Sequence, residues 1–303
     1  MNISFPIKEL IIYKGLNCYD SCITTFVAQN LHKDDSPYVY LYHKLWQETD
    51  LQFDDYNNCF HSKHFMENLT KFWNARIDSI SNDELMSIEG IILEKKSILV
   101  KTDLFHYSIS PSFNIHHAPH FFLVHGFDSN NSKVFISDPS YQICNQQLDK
   151  DEFLSIQERL YVFEMQNDNV ECDFYKEAIR DEIQKLDENI SSAIGIIQER
   201  ISDLENLECE NAKDLFLSEA LYFTRLASNR YCSTFYFEWL YQKQGKEFTH
   251  KEEFISIASK YEKVKNLFYK FAISGKRDSL TEIYREISQT ELLLAKKILK
   301  EIK

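Results

Sequence analysis

Three residues of this sequence, Cys18, His120 and Asp138, have the side-chain types needed for nucleophilic attack on a carbonyl group. A cysteine attacks well only as a thiolate, so it needs a base beside it, and a helix N-terminus helps. A histidine base needs an acceptor behind its second ring nitrogen, which fixes its tautomer and orientation. We therefore interpret Cys18 as the nucleophile, His120 as its base and Asp138 as the residue that orients the base.

The sequence around Cys18, His120 and Asp138 predicts the helix and the strands that bring the three side chains together. Apolar residues at helical spacing predict a helix from Cys18 to Leu31, so the cysteine lies where free backbone N–H groups stabilise an oxyanion. His120 begins the apolar run HFFLVHGFD and Asp138 ends KVFISDP, with a polar turn from Asp128 to Lys133 between them. A hairpin through this turn makes the histidine and the aspartate cross-strand neighbours.

Each residue alone also has an ordinary explanation. A cysteine that opens a helix usually packs, and a histidine at a strand start usually makes structural hydrogen bonds. An Asp-Pro pair usually just ends a strand. The prediction of a catalytic group therefore depends on the order and topology of the three residues together.

The whole chain predicts an α+β protein in two parts. The first half contains strand-length runs rich in β-branched and aromatic residues, at 97–105, 120–128, 133–140 and 159–165, and a helical pattern at 62–75. The second half has only long amphipathic segments, at about 173–206, 211–244, 250–273 and 278–302. We expect a catalytic domain at 1–167, with a helix and an antiparallel sheet, followed by an all-helical bundle domain at 173–303.

Composition narrows the function classes. The 303 residues carry a formal net charge of −13, which argues against nucleic-acid and anionic-membrane partners, because both need clustered Lys and Arg. Neither a signal peptide nor an apolar run of about 18 residues is present, so we expect a soluble, cytoplasmic protein. Its seven cysteines have no framework spacing and are expected to stay reduced. With six glycines and no Gly-rich phosphate loop, ATP or nicotinamide use is not expected.

The sequence around the three residues resembles a known family. NCYDSCITTFVAQNL resembles the nucleophile helix of bacteriocin leader peptidases, in which a packing cysteine follows the catalytic one after four residues. HFFLVHGFDSNNSKVFISDPS resembles their histidine strand, turn and Asp-Pro strand. The closer similarity is to the butirosin biosynthesis acyltransferase family, whose strand, loop and histidine resemble ILVKTDLFHYSISPSFNIHHAPHFFLVHGFD. The resemblance covers about residues 12–165.

This resemblance implies a papain-like cysteine-protease fold with Cys18, His120 and Asp138 as the triad and Cys22 at the packing position. It also implies an acyltransferase that forms amide bonds, as in butirosin and closthioamide biosynthesis. The acyl donor would be a thioester on an acyl or peptidyl carrier protein, and the acceptor a small-molecule amine. The phosphopantetheine would belong to the carrier protein, so no cofactor of the enzyme itself is expected.

One feature departs from the leader peptidases. They carry a glutamine shortly before the nucleophile to complete the oxyanion hole, whereas IYKGLN occupies 12–17 here. The oxyanion hole is then expected to use the backbone N–H of Cys18, assisted by the Asn17 side chain. Leader peptidases are also usually fused to a membrane transporter, and this sequence shows no such segment. Both differences favour acyl transfer, with a cysteine peptidase or a non-catalytic binding module as the alternatives.

Three further residues are candidates for substrate binding. Asp103 lies in the strand that precedes the loop leading to His120 and is a candidate for binding the amine. Its alternative role is that of a hydrogen-bonded polar residue near a sheet edge. Arg225 and Arg230 lie in an apolar aromatic stretch and are candidates for contact with the substrate or a carrier-protein phosphate. Their alternative is a salt bridge, because buried arginines are costly unless paired.

A cluster of histidines raises the question of a metal site. His116, His117, His120 and His125 lie close together in the sequence. Zinc sites need three or four converging ligands with second-shell support, and His125 is expected on the strand face opposite His120. We therefore predict no metal.

Overall fold

The computed structural model describes residues 2–30, 75–80, 88–165, 195, 198–199, 202–203, 212–274 and 280–302. These residues separate into two compact units, one with the strands and one with long helices. The predicted α+β class is confirmed, because the strands form an antiparallel sheet and the C-terminal region is helical. The predicted domain boundary at 167–173, the helix at 62–75 and most of the helix at 173–206 fall outside the described residues.

A seven-stranded antiparallel sheet forms the centre of the first unit. Its strands are β1 (Asn2–Ser4), β2 (Ala75–Ile80), β3 (Ile98–Asp103), β4 (Pro119–Asp128), β5 (Lys133–Asp138), β6 (Ile143–Asp149) and β7 (Gln157–Met165). Their order is β2-β7-β3-β4-β5-β6, and β1 pairs with the part of β4 that extends beyond β3. The four predicted strands are confirmed as β3, β4, β5 and β7, whereas β1, β2 and β6 were not predicted.

Helices of the first unit include α1 (Cys18–Asn30), α2 (Ile88–Lys95) and α3 (Lys150–Ile156). Helix α1 begins at Cys18, as its apolar spacing predicts. Asn17 caps the helix, because its Oδ1 accepts a hydrogen bond of 2.8 Å from the backbone N–H of Asp20. The helix packs on β4, where Tyr19 meets Phe121 edge to face with ring centroids 5.1 Å apart. This contact fixes the start of α1 beside the start of β4.

Strand β4 is the most enclosed strand near the site, because every residue from His120 to Asp128 is buried. Phe121 faces α1, whereas Phe122 and Val124 join a core cluster on the other face. Apolar side chains thus cover both faces of the strand that carries His120. A side chain at the end of such a strand has a rigid support.

The second unit contains helices and no strand among its described residues. It contains α4 (Ala212–Lys243), α5 (Lys251–Ser274) and α6 (Thr281–Ile302), which confirm the predicted segments at 211–244, 250–273 and 278–302. Helix α4 ends just before Gly245, whose φ of +68° is the left-handed conformation that favours glycine at a helix C-terminus. Among the described residues, no helix has the length and apolar character required to cross a lipid bilayer.

Candidate active site

His120 and Asp138 form a buried hydrogen-bonded pair. His120 lies at the start of β4 and Asp138 ends β5, and the distance from Nε2 to Oδ2 is 2.7 Å. The register pairs Leu123 with Ser137, so Asp138 reaches the histidine diagonally rather than from the directly opposite position. The β4–β5 hairpin therefore brings together the two residues that the sequence singled out.

The carboxylate of Asp138 is fixed at both of its oxygen atoms. Its Oδ1 accepts hydrogen bonds from the backbone N–H groups of Ser140, at 3.0 Å, and Tyr141, at 3.4 Å. These bonds cap the short 3₁₀ turn Pro139–Tyr141 that follows β5. The side chain is fully buried, so the turn leaves Oδ2 in one orientation, toward His120.

Cys18 completes the group at the N-terminus of α1. Its side chain is partly exposed, and interaction with Cys18 is one of the causes that raise the pKa of His120. Because Nε2 of His120 faces Asp138, its Nδ1 is the nitrogen available to the thiol. The order of contacts is therefore thiol, imidazole and carboxylate, which is the arrangement that activates a nucleophile.

The environment of His120 favours its charged form. Burial alone would lower the pKa of His120, but hydrogen bonds to Asp138 and Cys18 and the charge of both groups raise it to about 9. The imidazolium form therefore predominates near neutral pH. A positive charge beside a thiol favours the thiolate, which is the reactive species.

We expect the positive charge beside Cys18 to disappear as the pH rises through about 9, the pKa of His120. Iodoacetamide and iodoacetate both alkylate a thiolate, but only the anionic iodoacetate gains from a neighbouring imidazolium. The ratio of the iodoacetate to the iodoacetamide rate at Cys18, followed by peptide mass spectrometry, should therefore be high near neutral pH and fall through about pH 9.

Cys144, which is exposed on β6, serves as the internal reference for this ratio. Its ratio should change little over the same pH range, because its thiol donates a hydrogen bond to the backbone oxygen of Ile7 and no histidine of the described residues is hydrogen-bonded to it. A flat ratio at Cys18 would contradict an imidazolium beside the thiol.

The proposed oxyanion hole lies at the first turn of α1. The first backbone hydrogen bond of this helix joins the N–H of Ser21 to the carbonyl of Asn17, so the N–H of Cys18 precedes the bonded ladder. The Oδ1 of Asn17 accepts the capping hydrogen bond, so its side-chain NH₂ group is the part of Asn17 that would donate to an oxyanion. The contribution of both groups to an oxyanion hole stays a prediction.

Cys22 packs in the interior one turn after Cys18. It is fully buried, and its thiol donates a hydrogen bond of 3.5 Å to the backbone oxygen of Phe121. Burial, followed by the negative charge of Asp138, raises the pKa of the Cys22 thiol. It therefore stays protonated, in agreement with the packing position that the resemblance implies.

Two tyrosines near His120 were not predicted. Tyr107 lies in the loop after β3, and its ring centroid is 5.7 Å from that of His120. Tyr141 ends the 3₁₀ turn, and its ring centroid is 5.0 Å from that of His120. The sequence shows only that Tyr107 lies in the HYSISP loop and that Tyr141 follows Asp138 by three positions. Neither position indicates contact with the histidine without the fold.

Asp103 organises the loop between β3 and β4. Its Oδ1 accepts hydrogen bonds from the backbone N–H groups of Phe105 and Ala118, at 3.0 and 3.1 Å, and its Oδ2 lies 2.6 Å from Nδ1 of His117. Burial would raise the pKa of Asp103, but the bonds from His117 and the two N–H groups lower it. These bonds match the structural alternative for Asp103, and its contact with an amine stays a prediction.

The remaining histidines of the β4 region do not converge with these groups. His125 is buried and its Nε2 lies 3.0 Å from the hydroxyl of Ser137. Burial lowers the pKa of His125 to about 4, so it stays neutral. Over the described part of the chain, no group of three or more His, Cys, Asp or Glu side chains has an arrangement that could hold a metal.

Arg230 forms a buried salt bridge, and its predicted contact with a substrate stays a prediction. Arg230 is fully buried in the helical unit, where its Nε lies 2.6 Å and its second terminal nitrogen 3.2 Å from the two oxygens of Glu291. Its guanidinium also lies 5.6 Å from the ring centroid of Tyr261. The salt-bridge alternative is confirmed for this residue. Arg225 is half-buried on the same helix, and its contact with a substrate stays a prediction.

Replacing Arg230 with methionine is expected to lower the free energy of unfolding by about 3–5 kcal/mol, because Glu291 is left as an unpaired buried charge. Urea unfolding followed by circular dichroism measures the loss. Arg225→Met, on the same helix but half-buried, should cost less than about 1 kcal/mol. A second variant, Arg230→Met with Glu291→Leu, should recover most of the stability. A loss below about 1 kcal/mol for the single variant would contradict a structural ion pair.

Comparison with known proteins assigns no family to this chain. No protein-family model matches it, and no curated protein matches it either. A function is therefore inferred from the geometry around Cys18.

Proposed function

We propose that this protein is a papain-like, cysteine-dependent acyltransferase that forms amide bonds in natural-product biosynthesis. One observation carries the proposal: Nε2 of His120 lies 2.7 Å from Oδ2 of a fully buried Asp138, and Cys18, at the start of α1, is among the groups that raise the pKa of the same histidine. A helix that begins at the cysteine and packs on the strand of the histidine supports the papain-like fold. The motif resemblance at 12–165 supports the choice of a carrier-protein thioester and an amine as substrates.

In the first proposed step, the Cys18 thiolate attacks the carbonyl carbon of an acyl group held as a thioester on a carrier protein. The new carbon–sulfur bond gives a tetrahedral oxyanion, which the backbone N–H groups at the start of α1 stabilise. The bond to the carrier sulfur then breaks. The departing thiolate takes the proton of the His120 imidazolium, so the products are an acyl-Cys18 thioester, a neutral histidine and a free carrier thiol.

In the second proposed step, a primary amine attacks the acyl-Cys18 carbonyl. Neutral His120 takes a proton from the attacking nitrogen, and the carbon–sulfur bond to Cys18 breaks. The products are an amide, a Cys18 thiolate and a His120 imidazolium, which restores the starting state. Thioester and amide formation need no nucleotide here, because the acyl group arrives already activated.

Asp138 orients His120 so that the same imidazole acts as the acid in the first step and as the base in the second. Its carboxylate holds the Nε2–H side of the ring, so Nδ1 stays directed to the thiol while it gives and takes the proton. The carboxylate also offsets the cost of burying the imidazolium. Water in place of the amine would give hydrolysis, so a cysteine peptidase that processes a leader peptide is the alternative with the same three residues.

Whether the acyl-Cys18 thioester gives an amide or is hydrolysed depends on the acceptor. The test therefore measures both the formation of this thioester and its discharge. The protein is incubated with acetyl, hexanoyl and benzoyl thioesters of a phosphopantetheinyl carrier protein, and its intact mass is recorded. Transfer predicts a mass increase equal to the acyl group, followed by its loss as an amide when primary amines are added. Hydrolysis of peptide substrates without any adduct from thioesters would instead establish the peptidase. Failure of both reactions would overturn the proposal and leave a binding module.

A further inference from the structure

The ring of His120 is in contact with two tyrosines that lie on adjacent sides of it. The ring centroids of Tyr107 and Tyr141 are 5.7 and 5.0 Å from that of His120, with interplanar angles of 28° and 32°. The two tyrosine centroids are only 6.3 Å apart, so the rings do not lie on opposite faces of the histidine. The three rings form one cluster that leaves His120 only 4% exposed.

Tyr141 is held in this cluster from both ends. Its backbone N–H donates to Oδ1 of Asp138, and its hydroxyl lies 3.0 Å from the hydroxyl of Ser110. The first bond ties the tyrosine to the carboxylate that orients His120. The second ties it to the loop between β3 and β4. The position of the ring therefore depends on the same turn that fixes Asp138.

Tyr107 is anchored by stacking and burial. Its ring is nearly parallel to that of Phe122, with an interplanar angle of 4° and centroids 5.1 Å apart. Its hydroxyl is buried. Burial, followed by the charge of Asp138, raises the pKa of Tyr107, so the phenol stays neutral wherever the histidine titrates. Tyr107 thus presents an uncharged aromatic ring to His120.

We propose that Tyr107 and Tyr141 are positioning residues that stabilise His120 as an imidazolium and keep water from its hydrogen bond to Asp138. An aromatic ring attracts a cation within about 6 Å through its quadrupole, and more strongly where water is excluded. Asp138 on β5 and Cys18 on α1 raise the pKa of His120, and among the described titratable groups the rings of Tyr107 and Tyr141 also lie within 6 Å of its ring. The inference rests on the proposed function only in its assignment of Cys18 as nucleophile and His120 as base.

Leucine and phenylalanine separate the effect of the ring from that of burial. Tyr141→Leu keeps an apolar side chain but removes the aromatic ring, whereas Tyr141→Phe keeps the ring and removes only the bond to Ser110. The measurement is the pH at which the iodoacetate-to-iodoacetamide ratio at Cys18 falls. For Tyr141→Leu this pH should be about half to one unit lower than in the wild type. Tyr141→Phe should leave it unchanged.

Two further variants distinguish a specific effect on His120 from a general loss of structure. Tyr107→Leu should shift the ratio in the same direction, and its melting temperature shows whether the buried site still folds. Tyr161→Leu, a half-buried tyrosine on β7 whose ring lies 6.1 Å from Phe121, is the matched control and should not shift the ratio. A shift in Tyr141→Leu of less than about a quarter unit, or an upward shift, would overturn the inference. A wild type without any fall in the ratio would instead overturn the assignment of His120.

Discussion

Replacing Cys18 with alanine is expected to abolish the acyl adduct, with a loss of about 1,000-fold or more in the rate of acyl transfer. The sulfur forms the bond to the acyl group in the first proposed step and is the leaving group in the second, and alanine offers no replacement. Cys22 does not substitute for it, because that thiol is fully buried and stays protonated. Intact mass after incubation with the acyl carrier thioesters measures the effect directly.

Cys144→Ala is the matched control for this loss. Cys144 is exposed, so it competes for any unselective acylating reagent, but no histidine among the described residues is hydrogen-bonded to it. The variant should keep the adduct at the wild-type rate. An adduct that survives in Cys18→Ala and disappears in Cys144→Ala would contradict the assignment of the nucleophile.

Replacing His120 with glutamine is expected to lower the rate of acyl transfer by about 100- to 10,000-fold, the usual range for a general acid–base group. Glutamine keeps a polar side chain beside Asp138 but has no group that exchanges a proton near neutral pH. The adduct at Cys18 should form slowly, and its discharge by amines should slow as well. Stopped incubations followed by mass spectrometry give both rates.

His117→Gln is the control for this substitution. His117 is also paired with an aspartate, Asp103, at 2.6 Å, and it lies three residues before His120 in the sequence. It is exposed and has no contact with Cys18 among the described residues, so the variant should keep the wild-type rate. Equal losses in the two variants would show that the loop, rather than the imidazole of His120, determines the rate.

The β4–β5 hairpin was predictable because its sequence is locally consistent. The apolar runs on both sides of the Asp128–Lys133 turn specify two strands, and the turn specifies their pairing. The diagonal approach of Asp138 to His120 was not predictable, because a register shift near Val124 and Gly126 depends on the packed sheet. The hypothesis that the two residues meet was therefore correct in topology and incomplete in geometry.

The unpredicted strands have weak sequence signals. Strand β1 has only three residues, and β6, with the sequence ICNQQLD, is polar and largely exposed at the sheet edge. Strand β2 also lies at an edge of the sheet. Edge strands need little apolar alternation, because one side of their backbone has no partner strand and much of their side-chain surface faces water.

The roles of Tyr107 and Arg230 depend on contacts between residues far apart in the chain. Tyr107 reaches His120 only because a loop folds back on β4. Arg230 pairs with Glu291, sixty-one residues later, although 47 acidic residues were available as partners. The sequence indicates that a buried arginine needs a carboxylate, but tertiary packing selects which one.

The place of β7 in the sheet has a consequence for how the protein folds. This strand is the last of the seven in the sequence, yet it lies between β2 and β3, and Ile80 pairs with Leu160. The edge of β3 therefore stays unpaired until the ribosome has released the chain beyond β7. Pairings over such a long sequence separation form slowly. During synthesis, the nascent chain passes through a stage in which β3, the strand that pairs with the His120 strand β4, presents an open edge to other chains.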